Sequence, residues 1–155
     1  MVTHLLFLFQ SVLLSAIAAT GFAMVFNVPA KHLKYCAMLG ALGHGSRTLM
    51  VQLGLSIEWG SLAAAFLVGF FALVISSKQL IYPKIISIAA IIPMFPGVSA
   101  YKAAIALIKL GHNGYTTELM SQLVSNFLQA AFVAGALALG LTLPGVWMFR
   151  RKMRI

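Results

Sequence analysis

The sequence predicts an all-α polytopic membrane protein of about five transmembrane helices, the fourth broken at Pro93-Gly97, forming one transmembrane helical domain over residues 1–155. Three observations carry that expectation. The 155 residues are 61% hydrophobic and 8% charged, with a mean hydropathy of +0.99, far from the balance of a soluble domain. Apolar runs of about 20 residues recur along the chain, the length an α-helix needs to cross a hydrocarbon layer of about 30 Å. Between the runs lie short segments in which most of the lysines and arginines gather.

The first run, Leu5 to Phe26, has no Lys or Arg before it and exceeds a signal-peptide core, so a retained helix is expected rather than a cleaved leader. Its polar residues Gln10, Ser11 and Ser15 can satisfy one another or a neighbouring helix. Asn27-Val28-Pro29 ends the span, because proline biases the residue before it out of helix. Lys31, His32 and Lys34 form a first basic loop. Tyr35 to Leu53 is the second span, with Gly40, Gly43, His44, Gly45 and Arg47 well inside it. Leu55 to Glu58 reads as a polar turn. Trp59 to Ile75 is the third span, whose Gly60, Ala63, Ala64, Ala65 and Gly69 mark it as packing scaffold or lipid-facing. Ser76 to Lys84 is the second basic loop, Ile85 to Leu110 the interrupted span, and Gly111 to Thr117 an outer loop without Lys or Arg. Glu118 to Leu143 is the last span, ended by Pro144 and Gly145, with Arg150, Arg151, Lys152 and Arg154 in a basic tail.

The interruption is chemical. Pro93 and Pro96 cannot donate helix hydrogen bonds, and Gly97 permits dihedrals that other residues avoid. Within lipid, backbone groups freed at that depth are tolerated only inside protein or beside a watery cavity. A packing kink is the plainer alternative. Five spans put Lys31, Lys34, Lys78, Lys84 and the tail on one face, so the positive-inside rule sets the N-terminus outside and the C-terminus in the cytoplasm. A four-span arrangement, with the broken segment re-entrant, would separate those charges and breaks the rule.

The net charge of +9 arises from 11 Lys and Arg against Glu58 and Glu118. Those cations lie mostly at span ends, which points to anionic lipids and away from nucleic acid. A single cysteine, Cys36, allows neither an internal disulfide nor a metal cluster, and no cofactor or metal is expected. Gly43-His44-Gly45-Ser46 holds a serine and a histidine, but Gly-x-Ser-x-Gly, His-Glu-x-x-His and the P-loop are all missing, so an enzyme is not expected.

The polar residues inside the spans carry the functional expectation. A mid-helix arginine costs at least about 2.5 kcal/mol to insert, so Arg47 is a functional candidate, with snorkelling or an ion pair as the plain readings. His44 is a proton-coupling candidate or a packing histidine. On the last span Glu118, Gln122, Asn126 and Gln129 form one helical stripe, either interhelical hydrogen-bonding or pathway lining. Counting helical rise from the outer loop places Lys109 beside Glu118, and Lys102 beside Ser125 and Asn126, with Arg47 at a similar depth. An anion site is therefore expected from Arg47, Lys102, Asn126, Gln122 and the helix N-terminus at Gly97, Val98 and Ser99.

Five segments, Gly21 to Pro29, Gly43-His44-Gly45-Ser46-Arg47, Ile57-Glu58-Trp59, Ile92 to Gly97 and Ser125-Asn126-Phe127, together resemble the threonine/serine exporter family, and in length and order its small, YjjB-type subunit of bacterial inner membranes. The resemblance covers nearly the whole chain. It implies a larger, YjjP-type membrane partner and export of a small anionic or amino-acid substrate, threonine and serine or, in the split form, succinate. Two other functions stay open, a non-transporting assembly subunit and a passive anion channel.

Overall fold

The computed structural model describes the backbone of residues 2–152, and the side chains of residues 6–112 and 114–148. Six α-helices follow one another: α1 (Val2–Val25), α2 (Leu33–Gln52), α3 (Ile57–Gln79), α4 (Pro83–Ile91), α5 (Gly97–Asn113) and α6 (Thr117–Lys152). Short 3-10 turns at Ala30–His32 and Ile92–Met94 precede α2 and follow α4. There is no strand among the described residues. The basic tail Arg150, Arg151, Lys152 and Arg154 lies outside the described side chains.

Each helix ends where local chemistry ends it. After α1, Asn27 takes a left-handed φ of 59° and the Val28 amide donates to the Ala23 carbonyl, closing the helix just ahead of Pro29. The expected first basic loop shrinks to one 3-10 turn, and Lys34 already belongs to α2. The loop expected at Ser76 to Lys84 is shorter still. Leu80 adopts φ 52°, the Ser76 hydroxyl donates to the Ile81 carbonyl, and Pro83 sits in the first turn of α4, where its missing N–H costs nothing. In the same way α3 begins at Ile57 rather than Trp59, and α5 runs on to Asn113.

Pro144 does not end α6, contrary to the sequence reading; the helix continues to Lys152. The proline is fully buried, and its ring packs against Gly69 of α3, where an added Cβ would lie 3.3 Å from Pro144 Cγ. The Thr142 hydroxyl donates to the Ala138 and Leu139 carbonyls alongside. A neighbour helix thus packs the proline inside a helix that the sequence alone would have ended there.

Three helices are long and apolar enough to cross a membrane, Leu6–Val25, Ile57–Gln79 and Thr117–Met148, and α4 with α5 makes a fourth unit bent by 59°. The 20-residue α2 has the same length, about 30 Å at helical rise, but carries His44 and Arg47. It packs between α1, α3 and α4, which completes a bundle of about five membrane helices. Its centre is built of apolar, mostly small side chains: Cys36 and Leu39 of α2 pack with Ala23, Val68, Ala72, Ile86, Ala89 and Ala90.

The most extensive helix contact among the described residues settles the path of the chain. Gly140 of α6 faces Leu62, Ala65 and Phe66 of α3, and farther along both helices Gly69 faces Leu141 and Pro144, so α3 and α6 run parallel. The α4–α5 unit must then carry the chain from the Gln79 end of α3 back to its Ile57 end. It runs back along α3 and does not return to the end it left. Ile57 shares a cavity with Gln129 and Val133, so the part of α6 before Gln129, paired with α5, runs past the first turn of α3.

A Cβ at Gly140 would fall 2.5 Å from the Leu62 carbonyl oxygen, and backbone cannot yield. Gly140→Leu should lower stability by about 1–3 kcal/mol, the usual cost of overpacking. Gly135→Leu, which meets nothing within 4 Å, should not. Thermal unfolding of the two variants in detergent checks this, and equal melting would contradict the parallel contact.

Candidate functional site: the break between α4 and α5

In an unbroken helix the Met94 carbonyl would accept from the Val98 amide. Phe95 instead turns extended, at φ −62° and ψ 138°, and Pro96, at φ −80° and ψ 56°, makes an inverse γ-turn in which the Gly97 amide donates to the Phe95 carbonyl at 2.8 Å. That separates the pair. The Ala100 amide reaches the Pro96 carbonyl at 3.0 Å, but the Val98 and Ser99 amides meet no acceptor among the described residues, and no side chain caps α5. Gly97 keeps a negative φ, so the freedom expected of it is not what the turn uses; its Cβ position faces open space.

Arg47 takes the other half of the separated pair. Its Nη1 donates to the Met94 carbonyl oxygen at 2.6 Å. Neither snorkelling nor a carboxylate partner accounts for this arginine, because its side chain points into the break. Gly43, one turn earlier, makes the approach possible: a Cβ there would stand 2.7 Å from Val68 Cγ2 and 3.1 Å from Met94 Sδ. Met94 is itself fully buried among Ala64, Ala65, Val133 and Leu137.

The groups left over line one cavity of about 360 Å³, formed by Arg47, Ile57, Pro93, Phe95, Pro96, Gly97, Val98, Ser99, Gln129 and Val133. Ser99 Oγ donates to Gln129 Oε1 at 3.1 Å, which leaves the Gln129 amide nitrogen as a donor. One guanidinium, two unpaired backbone amides and a side-chain amide thus meet where no lining residue is acidic. Such an array suits an anionic oxygen ligand, since a helix N-terminus and an arginine both favour negative charge.

Lys102 does not join them. It lines a second cavity of about 430 Å³ with Ile105, Ala106, Lys109, Gln122 and Asn126. The expected register of the α5–α6 hairpin therefore holds, with Lys102 against Asn126, but Arg47 and Lys102 do not line one pocket. The reason is the bend. It directs α5 along α6, so each residue after Gly97 lies farther from α2. The α6 stripe is satisfied largely within its own helix, Gln122 Nε2 to Glu118 Oε1 at 3.4 Å and Asn126 Nδ2 to the Gln122 carbonyl at 2.7 Å; Gln129 alone of the four reaches α5.

His44 faces the opposite side of Pro93. It lines a third cavity, of about 520 Å³, with Phe7, Gln10, Ser11, Leu14, Ser15 and Ala18 of α1. Its Nδ1 is buried without a hydrogen-bond partner. Two of the three α1 polar residues meet α2 as expected, Ser15 Oγ donating to the Gly40 carbonyl at 2.9 Å and Ser11 Oγ lying 3.5 Å from Thr48 Oγ1. Sequence reasoning missed Gln129 as a site residue, although the polar stripe already contained it. It also missed the Met94 carbonyl, for which no side chain gives a signal.

Replacing Arg47 with Ala should strand the Met94 carbonyl and cost about 1.5–3 kcal/mol, the range for a hydrogen bond to a charged group. Arg47→Lys should recover part of it. Thermal unfolding in detergent measures both, and an unchanged Arg47→Ala protein would show that the bond does not hold the break.

No solved structure matches the chain. The sequence pattern of the family described as "Threonine/Serine exporter, ThrE" matches residues 11–147, which include α2, the break, α5 and nearly all the described part of α6. With apolar crossing helices, a half-broken span and a matched stretch covering most of its length, the chain belongs to the threonine/serine exporter family of membrane transport proteins.

Proposed function

We propose that this chain is the small, YjjB-type subunit of a two-component exporter of small carboxylates or amino acids, of the succinate or threonine/serine class, in the bacterial inner membrane. The observation that carries the reading is the acid-free cavity at the break, where Arg47 and the unpaired Val98 and Ser99 amides converge. A substrate carboxylate binds there through charge-assisted hydrogen bonds to Arg47, to the amides after Gly97 and to Gln129. Lys102, Asn126 and Gln122 line the neighbouring cavity on the same hairpin and belong to the substrate path.

Alternating access comes from rocking this bundle against a larger, YjjP-type subunit. A zwitterionic amino acid needs a carboxylate for its ammonium group, and the break cavity has none among its lining residues, so a dicarboxylate fits this chain alone and an amino acid requires an acid from the partner. A proton gradient supplies the energy, relayed by His44 or by partner acids. The N-terminus lies outside and the C-terminus in the cytoplasm, with the basic loops against anionic lipid.

Arg47→Gln, expressed at the wild-type level, should lower efflux of succinate or threonine at least tenfold; unchanged efflux would remove Arg47 from the site. Co-reconstitution in liposomes separates the roles of the two subunits. Full transport by the larger subunit alone would make this chain an assembly factor, and current without saturation or proton dependence would make the complex a channel. His44→Gln should abolish stimulation of efflux by an imposed pH gradient while leaving substrate exchange intact; loss of neither assigns His44 to packing.

A further inference from the structure

Beyond the break, α5 carries a cationic flank that the substrate cavity does not use. Lys102 and Lys109 are seven residues apart, two helical turns or about 10 Å, and both line one cavity between α5 and α6. Ala103 and Ala106 press α5 onto α6, which leaves the two lysines along one edge of the contact. No acidic side chain lines the cavity with them. Glu118, the acid of the adjoining stripe, accepts from Gln122 Nε2 instead. Like charges on one edge repel and are costly to leave facing lipid, so such a flank calls for water and a negative partner.

Its position gives it an order. Ser99 lines the break cavity and bonds to Gln129; Lys102 follows one turn later, Lys109 two turns beyond that, and the Gly114 loop after it. The cations thus lead from the break along the arm that passes the first turn of α3. From this geometry we infer that Lys102 and Lys109 form a second anion station, on which a soluble carboxylate leaving the Arg47 cavity is held before release; the inference rests on the exporter reading above. The shared chemistry is an anionic oxygen group, which a lipid phosphate could also supply.

A single cysteine makes the test direct. In a Cys36→Ala background, Ile105→Cys places a thiol in the cavity between the two lysines, and Gln122→Cys places a second one on the α6 side. The full complex is reconstituted in phosphatidylcholine vesicles, and the rates of modification by an anionic and a cationic methanethiosulfonate are compared. The anionic reagent should react at least tenfold faster. Lys102→Gln with Lys109→Gln should cut that ratio at least fivefold, and millimolar succinate should slow labelling. Equal rates, a ratio indifferent to the lysines, or no labelling of either thiol would overturn the station. Protection by added phosphatidylglycerol but not by succinate would also overturn it, assigning the lysines to a lipid headgroup. Efflux measured in parallel separates the two proposals. Loss in Arg47→Gln alongside an indifferent ratio keeps the Arg47 site and discards the station, while full efflux in Arg47→Gln removes Arg47 from the site whatever the ratio.

Discussion

One hydrogen bond organises the centre of this molecule, the 2.6 Å contact from the Arg47 guanidinium to the Met94 carbonyl. A helix can be interrupted inside a membrane only if both halves of the broken ladder find partners, because lipid offers none. Arg47 supplies the partner on the carbonyl side. On the amide side Gly97 and Ala100 find local carbonyls, but Val98 and Ser99 meet no acceptor among the described residues and line a cavity. On the proposed reading that asymmetry serves function, one half of the break being held and the other offered to a ligand. On the same reading the ligand is anionic, because the arginine's remaining donors and the amides all favour negative charge.

Close backbone approach makes the contact possible. Gly43 lets Met94 and Val68 lie against α2, and Gly140 lets α6 lie against α3, so the arginine-bearing helix and the broken one are fixed within a narrow, alanine-rich bundle. Small residues at helix faces are how membrane helices associate when no hydrophobic effect separates helix from lipid. The parallel α3–α6 pair then has α4 and α5 carry the chain back along α3, and the bend between them directs α5 along α6 and away from α2. The division of the polar residues into separate cavities follows from that bend.

Much of this was legible in advance. Hydropathy gave the spans, because twenty apolar residues have few other uses. Pro93 and Pro96 gave the break, because a missing N–H is a property of the residue and not of its surroundings. The α5–α6 register followed from rise per residue and a short loop, which is why Lys102 meets Asn126. Other readings failed where a distant neighbour decided the outcome. Pro144 stays helical because Gly69 of α3 receives its ring.

What the sequence determined by itself was the class of protein, the position of the break and the presence of cations within the expected spans, since each depends on the chemistry of individual residues and on spacing along one helix. What only the tertiary structure decided was which of those groups share a cavity. Arg47 and Lys102 lie at depths that arithmetic made similar, yet the guanidinium turns to Met94 while the lysine joins Lys109. Depth is set by distance along a helix. Company is set by rotation about its axis and by the angle at a bend, and neither is written in the order of residues.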